Sequence, residues 1–254
     1  MLKEVFECKT YTKYYRPPLA SDGTLVIHEA SATAPLDGAW PDAYARMSAS
    51  KETCLVKTHD VPEDEGRAVY VVRNGFAASH SYQCYLRDVN HKRFSLAEVI
   101  LGKPKFGSWG YHLDAWQPFE RPNTLLLSYE DLVQKPEEQI AKLSEFCGLR
   151  RQNEWKNEFD NLHNQNPSFF RKGKAGDSSG EFSAMERDLF LSLHGDWMQR
   201  LGYAPDGFDG NRGLSELRRV LRASSPAKRG NSVTKKSPLR RAIAGIFGTR
   251  AGVT

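Results

Sequence analysis

The chain has 254 residues and a mass of 28.7 kDa, with 39% hydrophobic and 26% charged residues, which suits a globular protein and excludes a fibrous or disordered one. No apolar run approaches the roughly 20 residues of a membrane helix, and the opening MLKEVFECKT carries acid where a signal peptide is apolar, so a cytoplasmic location is expected. The net charge of +5 is unevenly divided: residues 211–254 hold 11 Lys or Arg and one acid, Glu216, which leaves 25 basic and 30 acidic residues before them. The expectation is one acidic domain over 1–210 and a basic, flexible tail over 211–254.

Residues 1–50 carry few regular signals. YYRPPLASDG (14–23) is turn-rich, TLVIH (24–28) has the length of a short strand, and PLDGAWPDAY (35–44) breaks again. The pattern then becomes regular. TCLVK (53–57), AVYVV (68–72) and TLLLSY (124–129) are short runs read as strands, and the second, apolar and β-branched, suits the middle of a parallel sheet. After the second of them the Asn74-Gly75 turn releases a helix on which Ala77, Ala78, Ser81, Cys84 and Tyr85 share the face expected to be buried, opposite His80, Gln83 and Arg87. SLAE (95–98) is a capping box of Ser95 with Glu98. KPEEQIAKLSEFCG (135–148) opens a helix on Pro136 with Glu137 and Glu138 in its first turn, and stops it at Gly148. A last helix is expected within 183–203, with Met185, Leu189, Leu193 and Met198 or Leu201 as its buried stripe.

Alternating strands and helices predict an α/β fold with a parallel sheet flanked by helices. Cys8, Cys54, Cys84 and Cys147 are too widely spaced for a metal-type pair and read as thiols of a reducing compartment; no metal site is expected. In such folds ligands bind beyond the carboxyl ends of the strands. There the chain delivers Lys57 and His59 after the first regular strand, Arg73 with Ser81 behind it after the second, and Tyr129 after the third. The loop FFRKGKAGD (169–177) adds Arg171 and Lys172 among glycines that let backbone amides approach an anion.

In this order the blocks VKTH, VVRNGFAASHS, FGSWGYHLDAW, LLLSYEDL and FFRKGKAGD resemble the cytosolic-type sulfotransferase family over about residues 53–182. The resemblance implies a P-loop-like fold and 3′-phosphoadenosine 5′-phosphosulfate (PAPS) as donor, with no metal. Arg73, Ser81, Arg171, Lys172 and the Gly173 backbone match the residues that hold the 3′-phosphate. Tyr129 matches the tyrosine against the adenine, and Phe169 and Phe170 match the residues before the phosphate loop. His59 matches the general base and Lys57 the lysine beside the phosphosulfate. Residues 88–116 are expected to form part of the acceptor pocket and its lid, with Trp109 and His112 as substrate-binding residues. The implied partner is a small-molecule or glycan acceptor.

The chain departs from the family in three places. Nothing before Lys57 resembles its PKSGTTW-type loop for the 5′-phosphosulfate, so a truncated or degenerate relative that binds PAP or a partner protein without transfer is the alternative. A core without its first strand is expected to leave an unpaired edge. Ser178 and Gly180 stand where the family has tryptophan and asparagine, and no K-x-x-x-T-V-x-x-x-E dimer motif occurs, so no dimer is inferred. A nucleotide kinase needs a G-x-x-x-x-G-K-[ST] loop, which is absent. Nucleic acid is not an expected partner: the body is acidic, and Phe247 is the tail's one aromatic residue. The tail's basic amphipathic stretches SELRRVLRASSPAKRG and SPLRRAIAGIF suit peripheral contact with an acidic membrane.

Overall fold

The computed structural model describes residues 1–14, 34–36, 38–168, 170, 171, 176 and 178–209. TLVIH (24–28), Phe169, Lys172, Gly173 and the tail 211–254 lie outside the described residues. The chain divides into two compact units, Met1–Ser183 and Ala184–Thr254.

In the first unit every strand pairing among the described residues is parallel. Strands β1 (Lys9–Thr12), β2 (Ala34–Pro35) and β3 (Cys54–Lys57) form a sheet in the order β2-β1-β3, and β4 (Ala68–Val72) pairs with β5 (Thr124–Ser128). The three apolar runs predicted as strands are β3, β4 and β5. The sheet expected from them is present as two parallel pieces that share one apolar core. Val5, Phe6 and Cys8 meet Leu127 of β5 and two residues of a later helix, Ile140 and Leu143, with Leu55, Val69 and Leu125 packed around them. Each large apolar side chain so buried contributes about 1.5–3 kcal/mol.

The expected unpaired edge is corrected here. Residues 9–12 supply a strand beside β3, in the register Lys9↔Cys54 through Thr12↔Lys57, and a short helix α1 (Leu2–Phe6) inserts Val5 into the core before it. Lys-Thr-Tyr-Thr has no apolar run to announce a strand, and Thr12 is its buried residue. The break predicted over 35–44 also holds the start of a helix, α2 (Trp40–Ala49), with Pro41 in its first turn where a missing N–H costs nothing.

The remaining helices follow local signals closely. After β4, α3 (Gly75–Asp88) starts on Asn74, whose Oδ1 accepts the amides of Phe76 and Ala77 at 3.0 and 3.2 Å. The predicted Ser95–Glu98 box opens α4 (Leu96–Ile100), and Ser108 caps α5 (Trp109–Trp116). Ser128 caps α6 (Tyr129–Gln134), and α7 (Pro136–Cys147) ends at Gly148 with φ +66°, the left-handed stop predicted for it. A short helix α8 (Phe159–Gln165) and a 3₁₀ turn (Ser179–Glu181) precede the second unit. All four cysteines are free; Cys8 and Cys84 are buried, while Cys54 and Cys147 are half-buried.

Two burial patterns differ from expectation. On α3 the buried residues are Phe76, Ala77, Ser79, Cys84 and Leu86, so the helix is enclosed on more than one side and no single face is core. Ser79, not Ser81, is the fully buried serine, and Ser81 is half-buried. In the second unit the last helix, α9 (Ala184–Arg200), buries Phe190, His194, Trp197 and Met198, while Met185 is 64% exposed. The bulky rings at 190 and 197 take the buried face at i, i+7 spacing, which turns Leu189 and Leu193 to its flank.

Gly195 of α9 sits so close to Phe208 that an added Cβ would lie 2.2 Å from the ring. Gly195→Ala is therefore expected to lose about 1–3 kcal/mol through overpacking, read as a lower denaturation midpoint. Unchanged stability would show that Phe208 is free to swing away. Among the described residues no helix is long and apolar enough to cross a membrane.

Candidate functional site

Lys57, His59, Arg73 and Tyr129 stand at or just past the carboxyl ends of the parallel strands, the ligand edge of such sheets. Lys57 is the last residue of β3. The ladder continues past β1, with the Lys13 amide donating to the Lys57 carbonyl at 3.1 Å. One residue on, the Tyr14 hydroxyl accepts the His59 backbone N–H at 2.6 Å and bonds Thr58 Oγ1 at 3.2 Å. The Tyr14 ring stacks on the imidazole of His59 at 5.6 Å and 15°, and Phe106 closes on His59 from 5.2 Å.

Lys57 and His59 are exposed at the surface, with protein crowded around their charged groups. Enclosure lowers the pKa of Lys57, and it holds His59 down to about 4, with the charge of Lys57 and the nearby His112 pushing the same way against Asp60. His59 is consequently a neutral imidazole at pH 7, able to accept a proton. Lys13, beside this pair, is ion-paired with Asp60 at 3.0 Å and Glu63 at 2.6 Å and lies over the Trp40 ring.

At the ends of β4 and β5 the register Val72↔Ser128 sets Arg73 beside Tyr129, and the guanidinium lies over the tyrosine ring at 4.6 Å. The Arg73 Nε is buried and has no hydrogen-bond partner, and among the described residues no carboxylate pairs with the side chain. A buried, unpaired guanidinium donor is costly unless a ligand completes it. Asn74 already occupies the amides of Phe76 and Ala77 at the start of α3. Ser81, two turns along α3, is half-buried.

The basic loop is described in part. The His163 ring of α8 bonds the Phe170 carbonyl, and the Phe170 amide returns to Asn166 O at 2.9 Å, so the chain entering Arg171 is anchored. Arg171 is near enough to the end of α3 to act on Asp88, whose carboxylate is held low chiefly by its direct bonds to Arg87.

The two residues expected in the acceptor pocket have other partners. Trp109 donates its indole N–H to the Arg73 carbonyl at 3.2 Å. His112 Nδ1 is 2.8 Å from the Tyr70 hydroxyl, and its ring lies beside the backbone of His59 and Asp60. Residues missed by sequence reasoning are Lys13, Tyr14, Phe106 and Trp116. The lysine and the two aromatics nearest His59 lie more than 40 positions from it in the chain, where no local spacing signals them; Trp116 completes the stripe begun by Trp109 and His112. Among the described residues no three His, Cys, Asp or Glu side chains converge as metal ligands do.

A sequence profile of the sulfotransferase domain matches residues 38–202. The chain is 24% identical over 173 residues to sulfotransferase 1A1 of Bos taurus, covering 54% of this chain, and 25% identical over 172 residues to 3-alpha-hydroxysteroid sulfotransferase of Cavia porcellus, covering 57%. The matches span 59% of the length of each of these curated relatives. Mouse sulfotransferase SULT7A1, solved in complex with PAP, superposes with a TM-score of 0.51 at 18% identity, covering 85% of this chain and 90% of that one, a likeness of fold.

Proposed function

Because the chain belongs to the sulfotransferase family, we propose that it transfers a sulfuryl group from PAPS to the hydroxyl or amine of a small-molecule or glycan acceptor. The observation that carries this reading is the buried Arg73 Nε, which lacks a partner in a side chain stacked on Tyr129 at a strand end. A 3′-phosphate supplies the anion that this guanidinium lacks, and Ser81 and the basic loop of Phe169, Phe170, Arg171, Lys172 and Gly173 would complete its grip. When bound, PAPS supplies the activated sulfuryl group.

His59 would remove the acceptor's proton at its imidazole, being neutral at pH 7 and rigidly held through its backbone. Lys57 would sit against the phosphosulfate oxygens, where a cation stabilises developing charge. Lys13 would supply the further cation that the family takes from its first loop, since it follows a parallel first strand directly beside Lys57.

Its ion pairs to Asp60 and Glu63 favour a second reading, PAP binding without transfer, because Lys13 must leave two carboxylates to meet a phosphate. Calorimetric titration with PAP, with AMP as control, followed by a transfer assay with PAPS and a panel of phenols, alcohols and amines, separates the two. Selective PAP binding with transfer is the expected result. Selective binding without transfer to any acceptor supports the second reading, and no preference for PAP over AMP removes both.

A further inference from the structure

Helix α5 presents Trp109, His112 and Trp116 at i, i+3 and i+7, and the two tryptophans bond backbone carbonyls at the strand ends. Trp109 Nε1 donates to the Arg73 carbonyl at 3.2 Å, just past β4. Trp116 Nε1 donates to the Asp60 carbonyl at 3.0 Å, just past β3. Between them His112 accepts attention from both sides: the Tyr70 hydroxyl of β4 at Nδ1, 2.8 Å away, and the backbone of His59 and Asp60. The rings of Tyr70, His112 and Trp116 pack on one another with centroids 5.5 to 6.2 Å apart.

The tautomer of His112 follows from its neighbours. Backbone carbonyls only accept, so the nitrogen facing them must carry the hydrogen, which leaves Nδ1 of the neutral ring to accept the Tyr70 hydroxyl. Burial keeps the ring neutral, outweighing the carbonyls, and burial also keeps the Tyr70 phenol protonated. On its other side the same His59 residue gives its N–H to Tyr14. The backbone at His59 and Asp60 is therefore held from two directions, by Tyr14 and by Trp116, and the helix that carries Trp116 also holds Arg73.

We propose that α5 is a strut that positions the two halves of the site: Trp109 fixes the backbone of Arg73, and the Tyr70–His112 pair with Trp116 fixes that of His59 and Asp60. Trp109 and His112 are thus positioning residues, not walls of an acceptor pocket. The inference rests on the roles proposed above for His59 and Arg73.

The test compares His112→Leu, His112→Gln, Tyr70→Phe and Trp109→Phe with the full chain, reading PAP affinity, kcat, acceptor KM and the NMR titration of the His59 ring. His112→Leu is expected to lower kcat on the order of 10²-fold, the effect of a misplaced catalytic group, with PAP affinity and acceptor KM unchanged and the His59 titration moved up toward 6.5. His112→Gln, whose amide nitrogen can replace the ring donor, is expected to recover most of this. Tyr70→Phe removes one oxygen and should shift the His59 titration in the same direction by less, which keeps the test open if His112→Leu does not fold. Trp109→Phe should weaken PAP binding about 2- to 10-fold, the worth of one neutral hydrogen bond. A rise in acceptor KM with kcat, PAP affinity and the His59 titration unchanged would overturn the proposal and return both residues to the pocket. If the unaltered chain neither binds PAP nor transfers sulfate, the proposed function fails, while the His59 titration still reports whether Tyr70 and His112 hold that loop.

Discussion

Replacing His59 with alanine is expected to reduce sulfuryl transfer by about 10²- to 10⁴-fold, the usual worth of a positioned general base, while leaving PAP affinity unchanged. The separation follows from the geometry, because His59 stands just past the end of β3 and Arg73, with its unpartnered Nε, just past the end of β4. The pH profile adds a second test. The active form is the neutral ring, so activity is lost as pH falls through the pKa of His59. With that pKa held to about 4 by enclosure and by Lys57, kcat/KM is expected to show no loss from this group near 6.5, where an ordinary imidazole is half protonated. A bound anionic donor stabilises the imidazolium and raises the pKa, so the acid limb of kcat should lie at higher pH than that of kcat/KM. Coincident limbs near 6.5 would mean that His59 titrates as an ordinary imidazole and that enclosure does not hold its pKa down, whereas full activity in His59→Ala would mean that it is not the base.

Replacing Arg73 with alanine is expected to weaken PAP binding about 10- to 100-fold, since hydrogen bonds to a charged group are worth about 1.5–3 kcal/mol. AMP, which lacks the 3′-phosphate, should lose little. Arg73→Lys should fall between, because a lysine keeps the charge and loses both the fork and the stacking on Tyr129. Calorimetry with both nucleotides on the same preparations decides it. Equal weakening of PAP and AMP would move Arg73 away from the 3′-phosphate and leave the orphaned Nε without its proposed ligand.

Both results depend on how the site is assembled from parallel strands. Parallel pairing brings distant segments side by side through crossovers, so neighbours at the carboxyl edge are separated in sequence. Tyr14 and His59 are 45 residues apart and share a hydrogen bond, and Trp116 reaches Asp60 across 56. His112 shows the consequence. Its sequence neighbourhood suggests a pocket residue, and its ring meets the Tyr70 hydroxyl, 42 residues away, beside the loop that carries His59. The ion pairs of Lys13 with Asp60 and Glu63 arise in the same way, from a strand whose polar residues hide it.

By itself the sequence determined what is encoded locally. Short apolar runs became β3, β4 and β5, and hydrogen-bonding side chains at helix starts became the caps of α3 and α4, because a strand or a cap needs only residues within a few positions of it. It also determined the order in which His59, Arg73, Tyr129 and the basic loop reach the strand ends, and with it the family. The tertiary structure decided everything that depends on which surfaces meet. It gave β1 a place beside β3, enclosed α3 on several sides so that Ser79 rather than Ser81 is buried, and left the Arg73 Nε without a partner. The physical reason is that burial and hydrogen-bond satisfaction are properties of packed neighbours, and in a parallel α/β fold most of those neighbours come from elsewhere in the chain.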